Sequence, residues 1–163
     1  HGTNRRQRQM CIRDRFGPML TNDIGTSNSL VSKLIKGELP ACPATHMGYV
    51  DVRDVAKAHI FSMLNESTNN KRIIVSESEM FFVDVGRILN RAGFKKSPTK
   101  QMPNWLVKVL AVFVKELSGV TKSLGKRVDT DKSLAKTLFD WNYIPAKDSI
   151  VDTANQLSAM DKK

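Results

Sequence analysis

Asp51 and Asp54 stand three residues apart in the run Gly48-Tyr49-Val50-Asp51-Val52-Arg53-Asp54-Val55-Ala56-Lys57-Ala58-His59. Two carboxylates at that spacing form a pattern for paired acid–base chemistry. Their neighbours support a structural use instead. Tyr49 and Val50 suit a strand, and Asp51 then fits an N-cap, its carboxylate accepting from free N–H groups of a first helical turn. Asp54 fits the acidic partner of a capping box, and both charges favour the positive end of a helix dipole. Past the cap, Val52, Val55, Ala56, His59, Ile60, Met63 and Leu64 recur at helical spacing, which predicts one buried apolar face. His59 on that face reads as a packed, hydrogen-bonded core histidine.

Tyr143 and Lys147 form a second chemical pattern, a phenol and an amine four residues apart. On one helical face they could share a proton with a substrate oxygen. Pro145 lies between them, where a helix interior would lose a hydrogen bond and clash, so the pair is expected to be a turn rather than a catalytic couple. The three histidines, His1, His46 and His59, lack metal-ligand spacing. Among the nine glycines no G-x-G-x-x-G can be read, so a phosphate-cradling turn of that kind is not predicted.

The elements that would position such residues follow from periodicity. Phe16-Gly17-Pro18-Met19-Leu20 reads as a strand end opening into a turn. Leu30, Val31, Leu34 and Ile35 mark a helix, with Thr26 and Ser27 as candidate N-caps and Gly37 as its stop. Ile73-Ile74-Val75 predicts a short buried strand. Phe81, Val85, Ile88, Leu89 and Ala92 predict a helix closed by Gly93, and Pro103 the entry of a helix over 104–117 that is apolar enough to be buried. Thr130 is a candidate cap for a short helix ending at Leu138. Trp141 to Pro145 is a turn, and Ile150, Val151, Ala154 and Leu157 predict a last amphipathic helix. Two or three short strands cannot build a covered parallel sheet with protected edges, so the sequence reads as part of a larger α/β fold, mostly helical with a few short strands.

The 163-residue chain carries a net charge of +10, a value that raises nucleic-acid binding. Residues 1–15 hold five arginines and one acid, a net of +4, and the remaining +6 is scattered in short doublets. Nucleic acid is therefore not an expected partner. Met10-Cys11-Ile12-Arg13-Asp14-Arg15 is what a common sequencing-library adapter, ATGTGTATAAGAGACAG, encodes when its last codon is completed for arginine. Residues 1–15 are accordingly expected to be a non-native leader, and 16–163 the native body. Cys42 is then the one genuine cysteine, which excludes an internal disulfide and makes the cytoplasm the default. The most apolar stretch, Trp105 to Val114, contains Lys108 and is too short to span a bilayer.

In order along the chain, Gly17-Pro18-x-Leu20, Thr26-Ser27, Leu34-Ile35-Lys36-Gly37, Tyr49-Val50-Asp51-Val52-Arg53-Asp54-Val55-Ala56, Lys71-Arg72-Ile73-Ile74-Val75-Ser76, Pro103-Asn104-Trp105-Leu106-Val107 and Phe139-Asp140-Trp141-x-x-x-Pro145 resemble the C-terminal half of the extended short-chain dehydrogenase/reductases. The dihydroflavonol-4-reductase-like branch, with its aldehyde and ketone reductases, looks closest. The resemblance implies a Rossmann-type α/β parent that uses NAD or NADP to pass hydride to a small aldehyde or ketone, with a homodimer open. It also implies that the N-terminal dinucleotide-binding half and the catalytic tyrosine and lysine are absent from this chain, so that the chain alone is inactive. It places Gly17 and Pro18 beside the nicotinamide end of the cofactor and Ser27 near its phosphates. Met19, Leu20 and Tyr49 become candidates for the substrate-pocket wall. The family's proline shortly before Phe16 is missing. Rival readings on the same scaffold are a 3β-hydroxysteroid dehydrogenase, a nucleotide-sugar epimerase or dehydratase, and a non-catalytic NmrA-like dinucleotide sensor.

Overall fold

The computed structural model describes residues 15–20, 25–113 and 121–161. Apart from Arg15, the expected leader lies outside them, as does the expected helix end at Leu117.

A three-stranded sheet carries strands β1 (Arg15–Phe16), β2 (His46–Asp51) and β3 (Ser78–Phe81) in that spatial order. β1 runs parallel to β2, with Phe16 opposite Asp51, and β2 runs antiparallel to β3, with Tyr49 opposite Ser78. Helix α1 (Thr26–Lys36) lies between β1 and β2, α2 (Val52–Leu64) follows β2 directly, and α3 (Phe82–Arg91) follows β3 directly. Then come α4 (Asn104–Phe113), the short α5 (Ser133–Leu138) and the terminal α6 (Ala146–Met160). Among the described residues no helix is long and apolar enough to cross a membrane.

The core forms where α6 packs on α1, α3 and the first two strands. Val31 and Leu34 from α1, Val85 and Leu89 from α3, and Ile150 and Ala154 from α6 are fully buried there. Each such valine, leucine or isoleucine side chain contributes about 1.5–3 kcal/mol of transfer energy. A smaller cluster joins Ala58 and Phe61 of α2 to Ala135, Phe139 and Trp141. Phe139 stacks on Trp141 at 4.6 Å between centroids and meets Phe61 edge-on at 5.3 Å.

Local chemistry explains the element ends. Asp51 caps α2, accepting from the Arg53 N–H at 2.8 Å. Gly37 closes α1 in the left-handed region, φ 75°. Pro145 opens α6, and Glu77 from a distant loop accepts the Ala146 N–H at 3.1 Å, placing a negative charge at the helix's positive end.

Seven expectations are corrected. Ile73-Ile74-Val75 forms no strand; these half-buried residues lie in extended loop, and Ser78–Phe81 takes the ladder position on β2 instead. α2 is rotated relative to its apolar periodicity: Asp54 and Ala58 are buried, whereas Ile60, Met63 and Leu64 are 59%, 84% and 78% exposed. In this orientation Phe61 enters the aromatic cluster and Asp54 accepts a bond from a distant backbone N–H. Asp54 closes no capping box: its Oδ2 accepts the Ile144 N–H at 2.7 Å and its Oδ1 the Lys57 ammonium at 3.3 Å. α1 begins at Thr26 with Gly25 as N-cap, so Ser27 sits inside the first turn rather than capping it. Asp131, not Thr130, serves the start of α5 by accepting the Ser133 N–H, because the Thr130 hydroxyl is committed to Glu79. α4 is not a buried helix throughout: Val107 is inside, but Trp105 and Val109 are 67% and 50% exposed. His59 is half-buried, and its Nδ1 donates to the Val55 carbonyl at 2.7 Å, a local helix contact.

Candidate functional site

The turn Gly17-Pro18-Met19 leaves β1 where the strand meets the start of α2. Phe16 pairs with Asp51, so Gly17 follows directly over the Asp51 carboxylate. A Cβ at Gly17 would sit 3.0 Å from Asp51 Oδ2 and 3.1 Å from Val52 Cγ1. The residue also adopts φ 121°, where an L side chain is strained. Crowding and backbone together require glycine here.

Beneath the turn is a polar network centred on the buried Asp51 carboxylate. Arg53 grips Asp51 with two charge-assisted bonds, Nε to Oδ1 and Nη2 to Oδ2, each 2.8 Å, and also reaches Asp152 at 3.1 Å. The Ser149 hydroxyl gives its one proton to Asp51 Oδ2 at 2.5 Å. Burial would raise the Asp51 pKa, but the hydrogen bonds from the Arg53 side chain, Ser149 and the Arg53 N–H outweigh it, holding the carboxyl below its ordinary value. Asp51 is therefore ionised, fully satisfied and fully buried, which suits an anchor and not a proton donor.

Two α6 side chains meet the turn itself. The Gly17 N–H donates to Thr153 Oγ1 at 2.7 Å, and the Met19 N–H to Gln156 Oε1 at 2.6 Å. Gln156 Nε2 returns a bond to the Met19 carbonyl at 2.8 Å. Only one orientation of the glutamine amide serves both partners.

The predicted site residues are only partly gathered here. Gly17, Pro18 and Met19 form the turn; Pro18 is exposed, and Met19 is half-buried against the core. Leu20 is fully exposed. Tyr49 is fully buried behind β1, its ring stacked on Phe16 at 5.2 Å. Ser27 is half-buried in the first turn of α1. Tyr143 and Lys147 do not share a helical face, since Tyr143 precedes the Pro145 start of α6. Burial, and then the Asp54 charge, push the Tyr143 phenol above its ordinary pKa, the reverse of what an activated phenol needs. Two shallow hollows flank Trp141, one lined by Phe139 and Tyr143 and the other by Ile60 and Leu64; neither is lined by a residue of the turn. Ser149, Thr153 and Gln156 escaped the sequence reading, though their spacing puts a polar stripe beside the apolar Ile150, Ala154 and Leu157.

No protein-family model matches the chain. It is similar to the NADPH-dependent methylglyoxal reductase GRE2 of Saccharomyces cerevisiae, 35% identical over 149 residues that cover 87% of this chain and 40% of that protein. An oxidoreductase of Schizosaccharomyces pombe is 35% identical over 116 residues, 71% of this chain and 34% of its own length. The solved structure of yeast methylglyoxal/isovaleraldehyde reductase Gre2 complexed with NADPH superposes with a TM-score of 0.66 at 28% identity, covering 92% of this chain and 46% of that one. The chain thus spans less than half the length of the relatives it matches. Its homologues are NADPH-dependent reductases of the extended short-chain dehydrogenase/reductase family, and it corresponds to a fragment of their Rossmann-type fold. These relatives favour the reductase reading over the sterol, nucleotide-sugar and sensor alternatives.

Proposed function

We propose that this chain is the substrate-side portion of an NADPH-dependent reductase of small aldehydes and ketones, with methylglyoxal as the first compound to test. The observation that carries the proposal is the 35% identity over 149 residues to the methylglyoxal reductase of Saccharomyces cerevisiae. When bound, the nicotinamide supplies hydride to the substrate carbonyl carbon. The chain's own part is to shape the wall against which nicotinamide and carbonyl meet. Gly17 and Pro18 are assigned to the nicotinamide side of that wall. Met19 and Leu20 are assigned to the substrate side, with Tyr49 backing it through Phe16. Ser27, in the first turn of α1, is assigned to the cofactor phosphates, where a hydroxyl and helix-terminal N–H groups favour an anion. The phenol and amine that would handle the substrate proton belong to the part of the reductase not spanned here, so the chain alone is inactive. A cytoplasmic location belongs to the same proposal and is supported by Cys42, a buried free thiol.

A chimera tests this reading. Residues 16–163 are fused to the portion of the Saccharomyces cerevisiae reductase that the match leaves uncovered. NADPH oxidation with methylglyoxal is then followed at 340 nm. Turnover by the chimera, and none by either part alone, is the expected result. A folded chimera that binds NADPH but reduces neither methylglyoxal nor another small aldehyde or ketone overturns the proposal.

A further inference from the structure

We propose that Thr153 and Gln156 of α6 are positioning residues that fix the Gly17-Pro18-Met19 turn in register with the Asp51 anchor. Their value to catalysis rests on the reading of that turn as the nicotinamide-side wall. Pro18 has no N–H, so the turn carries only two backbone donors, at Gly17 and Met19, and side chains of one helix take both. The partners are 136 and 137 residues away along the chain, so neither bond follows from local turn geometry. Gln156 acts as a strand would, accepting and donating across a single residue. The Thr153 hydroxyl accepts from Gly17 and gives its one proton to the Ser149 carbonyl at 2.8 Å, leaving the Gly17 carbonyl as a weaker neighbour at 3.3 Å. Ser149 is bonded to Asp51 in turn, so the stripe joins the turn to the start of α2.

The apolar side of α6 already holds the helix in the core through Ile150, Ala154 and Leu157. What the polar stripe adds is direction. Hydrophobic contact is non-directional, whereas two short hydrogen bonds fix where a backbone lies. A wall that must bring two reacting groups within about 3–3.5 Å of each other needs that precision.

Amide hydrogen exchange by NMR on the 163-residue chain tests the proposal directly. In Gln156→Ala, exchange at Met19 should rise about fivefold to tenfold. Exchange should stay unchanged at Phe82, whose N–H is bonded to the Thr45 carbonyl at 2.8 Å. Thr153→Val should raise exchange at Gly17 in the same selective way. Gln156→Glu keeps the acceptor and should restore most of the Met19 protection, and the near-isosteric Thr153→Val serves as the readout should the alanine variant fail to fold. Wild-type protection at Met19 in Gln156→Ala, or at Gly17 in Thr153→Val, overturns the proposal, as does an equal rise at Phe82, which would mark a general stabilising role. In the chimera, Gln156→Ala should lower kcat about tenfold with little change in KM. Selective loss of Met19 protection with unchanged kcat upholds the positioning role and refutes the wall reading of the turn.

Discussion

Arg53 and Asp51 form a two-point ion pair, Nε–Oδ1 and Nη2–Oδ2 both at 2.8 Å, with the carboxylate fully buried and the guanidinium partly open to solvent. The pair joins three features: the cap of α2, the floor under Gly17 and, through Ser149 and Asp152, the face of α6. Asp51→Asn should cost about 2 kcal/mol at neutral pH, the magnitude expected for losing charged hydrogen bonds at a buried site. The loss should depend on pH. The folded carboxyl titrates below its ordinary value, so its stabilisation is complete above the unfolded aspartate value of about 3.9. It is lost as pH falls through the folded value. Urea melts of wild type and Asp51→Asn should therefore differ by a constant amount from pH 7 to about pH 5 and converge below about pH 4. A gap that persists unchanged into acid would exclude Asp51 as an ionised anchor.

The strand-to-helix junction at Asp51 was legible because capping is local chemistry: the acceptor and the N–H it serves are two residues apart. The Gly37 stop and the Pro145 break were legible for the same reason. What escaped depends on partners far along the chain. Asp54 has the spacing of a capping box, yet it serves Ile144 ninety residues on. Ile73-Ile74-Val75 has strand composition, but a strand needs a neighbour, and β2 is paired by Ser78–Phe81 instead. The elements of the candidate site were half legible. The Gly17-Pro18 turn could be marked, whereas Thr153 and Gln156 could not, because their partners lie across the whole length of the chain.

The rotation of α2 makes a prediction opposite to that of its periodicity. Met63 and Leu64 are 84% and 78% exposed, so Met63→Lys and Leu64→Glu should each change stability by less than about 0.5 kcal/mol in this chain. Were these side chains packed in a core, truncation alone would cost about 2–5 kcal/mol. Urea denaturation of the two variants separates the cases.

Gly86 lies in the middle of α3, where replacing glycine by alanine ordinarily gains up to about 1 kcal/mol. Here the sign should reverse. A Cβ would fall 2.1 Å from the Pro98 carbonyl oxygen, a backbone atom that no rotamer change can move, and 3.5 Å from Cys42 Sγ. Relief requires shifting α3 or the 97–99 loop. Gly86→Ala should therefore destabilise by about 1–3 kcal/mol, seen as a lower urea midpoint with an unchanged slope. Neutral or raised stability would show that the loop yields freely.

Cys42 adjoins that contact, fully buried between the Lys100 carbonyl bonded to its N–H and the Met102 N–H bonded to its carbonyl. Burial pushes its thiol up to about 11, opposed only in part by the Arg87 charge. At pH 8 about one molecule in a thousand would carry the thiolate, the reactive form, and even that one would be shielded from reagent. In a Cys11→Ser variant, Cys42 should therefore resist the disulfide reagent DTNB while the chain is folded. Its labelling rate should rise with urea in step with unfolding, because access requires opening. The Gly86→Ala variant should label faster than its parent at the same urea concentration, since displacing the Pro98 backbone disturbs the seal over the sulfur. Rapid stoichiometric labelling of the folded parent would contradict both the burial and the raised thiol.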